Sequence, residues 1–185
     1  WLHPGAVAAL PPGLDDSKKL SSRKRADFHH ILTSGPHLHA LVSVPVGVID
    51  RDGILRATLD AMATAAATLA TMIREAGHGA VAQLLIDGNQ MPRDLTAPAQ
   101  TVVKGDSRSL SIAAASVIAK HERDQVMTAL AAAHPGYGWE TNMGYGTAAH
   151  REAMARFGVT PHHRRSFAPV REQLASVGDT ASTKG

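Results

Sequence analysis

Cysteine is absent from this 185-residue chain, so neither a disulfide framework nor a thiolate metal site can be built, as suits a reducing cytoplasm. Aromatic residues are scarce, 4% of the chain against 44% hydrophobic residues in all, so the core has to come from aliphatic side chains, many of them alanines on helices. That argues for a helix-containing fold over an aromatic-rich β-sandwich. A long apolar run is missing too. The strongest, between Asp60 and Arg74, falls short of the roughly 18–20 residues of a membrane span and reads as alanine-rich helix. No basic segment followed by an apolar stretch and a small-residue cleavage site opens the chain, and neither does a methionine; an opening on Trp1 is what a fragment or trimmed chain is expected to show. The excess of 19 Lys and Arg over 16 Asp and Glu permits a polyanionic partner without demanding one. The length suits one well-cored domain.

Along the chain, Trp1-Leu2 reads as the end of a strand whose beginning is absent, followed by a proline-broken loop to Gly13. A basic helix follows, capped by Ser21 or Ser22 and ending before Gly35-Pro36. Leu38 to Val48, rich in Leu and Val, predicts an edge-tolerant strand and a turn. Between Asp52 and Ala76, apolar residues recur at Leu55, Leu59, Met62, Ala66, Leu69 and Ile73, the spacing of an amphipathic helix ended by Gly77 and Gly79. The short apolar runs 81–86 and 101–103 predict strands, each leading to an aspartate. A helix over 109–133, a glycine-rich turn at Gly144-Tyr145-Gly146-Thr147 and a short helix from Ala148 to Phe157 come next. A basic segment ends in Phe167, and past Val170 a polar, frayed tail is expected. Strand, helix, strand, strand, helix implies an α/β sheet.

Asp87 and Asp106 are the residues of most chemical interest. Carboxylates at the ends of neighbouring strands can converge on a hard divalent cation, although Asp-Gly and Gly-Asp are also ordinary turn pairs. Lys18, Lys19, Lys104, Arg164 and Arg165 could each meet a phosphate or simply be solvated. Tyr145, between two glycines, could stand clear of the backbone as a recognition residue or be a surface tyrosine in a turn. Asp124, beside Arg123, reads first as a structural partner of a basic neighbour, with a metal role as the lesser reading. Ser111 and Ser116 read as packing residues on an alanine-rich helix. The histidines, His29, His30, His37 and His39 foremost, complete no familiar zinc pattern and read as surface or loop residues.

Longer strings narrow the choice: Leu14-Asp15-Asp16-Ser17-Lys18-Lys19-Leu20, Ile86-Asp87-Gly88-Asn89, Val103-Lys104-Gly105-Asp106, the run from Ser111 to Lys120 with Arg123-Asp124, Gly144-Tyr145-Gly146-Thr147, and His163-Arg164-Arg165-Ser166-Phe167. In this order they resemble bacterial ribonuclease HII. The resemblance implies an α/β, ribonuclease H-like mixed sheet with flanking helices and a helical C-terminal part, spanning residues 1–170 with a polar tail at 171–185. It also implies a metal-dependent endoribonuclease that cuts RNA/DNA hybrids and duplex DNA containing ribonucleotides, using two Mn²⁺ or Mg²⁺ ions, in a cytoplasmic and monomeric protein. Asp87 and Asp106 match two of the family's four metal-binding carboxylates, and Tyr145 matches its ribose-sensing residue. The other carboxylates, an adjacent Asp-Glu followed by Gly-Arg-Gly on a first strand, have no counterpart here. Asp15 and Asp16 belong to a different motif and read as a turn or cap. Catalysis by this chain is therefore set against a rival expectation, a non-catalytic nucleic-acid-binding remnant of the same fold.

Overall fold

The computed structural model describes residues 1–182. The chain divides into two compact units, residues 1–43 with 58–122, and residues 44–57 with 123–185.

The first unit is organised around helix α1 (Ser22–Ser34) and the first part of helix α4 (Leu110–Ala133). The Ser21 hydroxyl caps α1 by accepting from the Lys24 amide, as the sequence leads one to expect. Phe28 and Leu32 of α1 pack with Leu14 and Leu20 on a face of α4 made of Ala113, Ala114, Val117 and Ile118. The alanines present little side chain there, so the two larger residues can reach the helix surface closely. Leu32 is 1% and Val117 0% exposed, and burying each removes enough apolar surface for about 2 kcal/mol. Within this core Ser116 exchanges a 2.8 Å hydrogen bond with Ser17, which satisfies both hydroxyls.

Strands β1 (Leu84–Asp87) and β2 (Ala99–Val102) pair in parallel, Leu84 against Ala99 and Asp87 against Val102. Ile86 faces inward, while Leu85 is 40% exposed. Helix α3 (Ile54–Glu75) forms over the stretch its periodicity marks, but Leu59, Met62, Ala66 and Leu69 are only half-buried. The stripe expected of the sequence exists, and among the described residues it is incompletely covered.

The expected strand at 38–48 is not formed. Residues 38–45 run without regular structure, and helix α2 (Val46–Asp52) follows, with Pro45 as its N-cap. The proline's fixed φ suits a helix entry and disfavours a ladder. The expected strand end at Trp1-Leu2 is likewise absent as a strand, yet Trp1 and Leu38 exchange both of their backbone hydrogen bonds, at 2.8 and 3.0 Å. A single exchanged pair does not make a strand.

The second unit holds α2, α5 (Trp139–Asn142), α6 (Ala148–Phe157) and α7 (Ala168–Ser182) with the last part of α4. Tyr137, Trp139, Ala153, Met154 and Val170 make its core, joined by Met127, Leu130, Val159 and Leu174. The frayed tail expected after Val170 is replaced by α7, because Val170 and Leu174, one helical turn apart, pack into that core. Residues 183–185 of that expected tail lie outside the described residues.

Candidate active-site carboxylates and the tyrosine loop

The parallel register brings β1 and β2 out at the same end, so their following loops start side by side. Asp87 closes β1. After β2 the chain passes Val103 and Lys104 and turns through a short 3₁₀ segment, Gly105–Ser107. The Gly105 amide donates to Asp87 Oδ1 at 2.8 Å, so the carboxylate of one strand end is fastened to the residue that precedes Asp106. A Cβ on Gly105 would come within 3.1 Å of that oxygen and 2.5 Å of Ile112 Cδ1. Lys104 holds a left-handed conformation, φ 54°, which costs a non-glycine residue on the order of 1 kcal/mol. Its carbonyl accepts from the Ser107 hydroxyl at 3.0 Å, which helps hold the turn.

Beside this corner lies a cleft of about 480 Å³ lined by Asp15, Lys19, Asp106, Ser107, Arg108 and Ser109, among others. Lys19 pairs with Asp15 at 3.2 Å, and this bond together with one from the Asp16 amide lowers the Asp15 pKa, the amide contributing most. Asp16 Oδ1 accepts from the Lys18 amide. Asp15 and Asp16 thus shape a turn, as their motif suggested, and Lys18 stays exposed. Arg108 lines the cleft and was not singled out in the sequence. An arginine after a Gly-Asp-Ser turn carries no distinguishing pattern.

As a cation site, Asp87 and Asp106 offer hard oxygen donors. Among the described residues no group of three or more His, Cys, Asp or Glu side chains gathers as a metal cluster. The donor set suits a single hydrated cation held by few protein ligands and falls short of a two-cation clamp.

The other expected residues belong to the second unit. Tyr145 is 60% exposed, with the Arg123 guanidinium 5.5 Å from its ring centroid. Its backbone is tied down: its amide donates to the Asn142 carbonyl, its carbonyl accepts from the Thr147 amide, and the Gly144 amide donates to Asn142 Oδ1. The adjacent Asp124 accepts, through its carbonyl, from the Thr128 hydroxyl. Arg165 is exposed, and Arg164 lies over the Phe167 ring at 4.9 Å. Their loop is anchored by Asp50, whose carboxylate accepts from the Arg165 and Ser166 amides at 2.9 Å each and from the Ser166 hydroxyl at 2.6 Å. Those bonds, the Ser166 ones first, hold the Asp50 pKa below the usual carboxylate range.

Residues 9–170 match the sequence pattern of ribonuclease HII. The chain belongs to the ribonuclease HII family. The ribonuclease HII of Ruegeria sp. (strain TM1040) is 49% identical over 168 residues, 91% of this chain and 69% of that relative. That of Rhodospirillum rubrum is 52% identical over 171 residues, 92% of this chain and 74% of the relative. The crystal structure of the ribonuclease H2 from Pyrococcus horikoshii OT3 is similar with a TM-score of 0.68 at 19% identity, over 89% of this chain and 81% of that one. The ribonuclease H-like α/β class read from the sequence stands on that likeness. No described helix is long and apolar enough to cross a membrane.

The sequence leads one to expect surface or loop histidines, but in this ribonuclease HII family chain His37, His150 and His163 are buried at 7%, 5% and 5% exposure. His150 bonds to His163, accepts from the Trp139 indole and faces the Tyr145 carbonyl through Nδ1. Burial first, and then the neighbouring His150, pushes the His163 pKa down to about 4. Buried histidines have no periodic signature, and only the proximity of Trp139 in space identifies these two as core residues.

Proposed function

We propose that this chain carries the nucleic-acid-binding body and two of the catalytic carboxylates of an endoribonuclease acting on RNA/DNA hybrids and on duplex DNA containing ribonucleotides. The observation that carries this reading is the Gly105–Asp87 hydrogen bond, which fastens the aspartate that ends β1 to the turn that carries Asp106, beside a cleft lined by Lys19 and Arg108. It gains its meaning from the family match over residues 9–170. Asp87 and Asp106 would hold Mn²⁺ or Mg²⁺, which supplies Lewis-acid stabilisation of the charge developing on phosphate oxygens. Lys18, Lys19 and Lys104, with Arg164 and Arg165, supply positive charge to backbone phosphates, which positions the duplex without reading its sequence. Tyr145 presents its ring to a ribonucleotide sugar, whose 2′-hydroxyl separates RNA from DNA. Hydrolysis on the 5′ side of the ribonucleotide leaves 3′-hydroxyl and 5′-phosphate ends and serves ribonucleotide excision in the cytoplasm. The protein works as a monomer.

A second reading, a binding module without turnover, is favoured by the small donor set gathered among the described residues. Cleavage of a labelled DNA duplex carrying one ribonucleotide separates the two. The comparison takes this chain, Asp87→Asn, and a version with the family's first strand joined to its N-terminus, each with Mn²⁺ or Mg²⁺. Cutting 5′ to the ribonucleotide that is lost in Asp87→Asn is expected, in this chain or in the extended one. A folded, extended protein that binds the duplex and leaves it intact would establish the binding module.

A further inference from the structure

The Gly144-Tyr145-Gly146 loop is held from beneath by a buried chain of rings whose proton positions follow from their partners. The Thr160 amide can only donate, and it donates to His163 Nδ1 at 3.0 Å, so the His163 ring proton sits on Nε2. The Trp139 indole N–H can only donate, and its acceptor at 3.0 Å is His150 Nε2. His163 Nε2–H reaches the same atom at 3.2 Å. With Nε2 accepting, its one lone pair shared between the two donors, the ring proton of His150 has to be on Nδ1. Nδ1 faces the Tyr145 carbonyl at 3.0 Å. Every link is buried or half-buried, so no orientation that wastes a donor is cheap.

We propose that His150 is a positioning residue for Tyr145: Trp139 and His163 lock its ring tautomer so that Nδ1–H clamps the Tyr145 carbonyl and fixes the loop that presents the tyrosine ring to a ribonucleotide. The clamp acts on the backbone and fixes the point from which a side chain 60% exposed and flanked by glycines departs. Gly144, at φ 77° and within 3.1 Å of Met127 Cε for any added Cβ, supplies the turn. Arg151 holds the other side of the loop by donating to the Gly146 carbonyl at 2.6 Å. The link to ribonucleotide recognition rests on the role given above to Tyr145; the clamp itself rests on geometry alone.

Two substitutions divide the ring's duties. In His150→Gln the amide oxygen falls near the position of Nε2 and keeps an acceptor for Trp139 and His163, but the side chain at 150 no longer reaches the Tyr145 carbonyl. In His150→Asn the amide N–H falls near Nδ1 and keeps the clamp, while the acceptor is lost. Two quantities are read on the whole chain: hydrogen exchange at the Thr147 amide, which bonds to the Tyr145 carbonyl, and the ratio of affinities for a DNA duplex with one ribonucleotide and the same duplex in all-DNA form. His150→Gln is expected to fold, to speed Thr147 exchange roughly tenfold, and to lower the affinity ratio about as far as Tyr145→Ala does. His150→Asn, wherever it remains folded, is expected to restore both. A folded His150→Gln with wild-type exchange overturns the proposal, and so does a wild-type ratio in His150→Gln where Tyr145→Ala loses it. If Tyr145→Ala itself leaves the ratio unchanged, the reading of Tyr145 fails, and the exchange measurement alone decides whether His150 clamps the loop.

Discussion

The carboxylate corner and the tyrosine loop solve the same problem, holding a polar group in place at the surface, by different means. Asp87 is held by one backbone amide on a two-stranded sheet, with Leu85 and Val103 left 40% and 56% exposed beside it. Tyr145 is held by its backbone, from Asn142, Thr147 and His150, over a core that contains Trp139 and Met154, each 2% exposed. The corner therefore has little packing of its own to secure its carboxylates. The loop is secured by buried hydrogen bonds, whose loss would leave orphaned donors at about 1–3 kcal/mol each. Local stability should differ accordingly, with the corner the easier to loosen.

Trp139→Ala should have the largest effect. It removes the most buried large side chain of the second unit and the donor to His150, at about 3–5 kcal/mol. Amide exchange at Tyr145 and Thr147 should rise sharply in this variant, measured alongside Gly105. An equal rise at Gly105 would erase the contrast between the two regions.

Acid should come next, through His163. Its folded-state pKa, about 4, lies below the ordinary 6.5, so the unfolded chain takes up a proton that the folded one refuses. The contribution is fully present above pH 6.5 and is lost as pH falls from 6.5 toward 4, at most about 3 kcal/mol from this group. His150, His134 and His162 stand nearby and disfavour its charge further. A melting temperature followed by circular dichroism across this window should fall in the wild type and fall less in His163→Asn. Parallel curves for the two proteins would remove His163 from the account.

Gly105→Ala should be the smallest effect. The added Cβ meets Ile112 Cδ1, the mobile end of a side chain, and Asp87 Oδ1. A loss of about 1 kcal/mol is expected, recovered in large part by the double variant with Ile112→Val, which removes the Cδ1 atom. A double variant no better than the single one would put the strain on Asp87 instead and would make the corner stiffer than its packing suggests.

Helix positions were legible where local signals agreed: Ser21 before a basic run, Ala148 to Phe157 between Thr147 and Gly158, and the stripe from Leu55 to Ile73. The strand expected at 38–48 failed because its Leu and Val pattern speaks only for itself. A strand also needs a neighbour, and Trp1 meets it at a single residue. Asp87 and Asp106 could be singled out because each follows a short apolar run, and their chain motifs are distinctive. Arg108, Asp50 and His150 could not, since a carboxylate that accepts two amides from a loop more than a hundred residues away leaves no mark near itself.

The sequence by itself determined the family, through motifs whose order and spacing survive without coordinates, and the helices α1, α3, α4 and α6, through caps and periodicities that span a few residues. Only the tertiary structure decided which turn amide fastens Asp87, which acidic residue anchors Arg165 and Ser166, and which proton His150 turns toward Tyr145. Those are choices among hydrogen-bond partners distant in sequence, and a partner is selected by what burial leaves within reach, a quantity that exists only after the chain has folded.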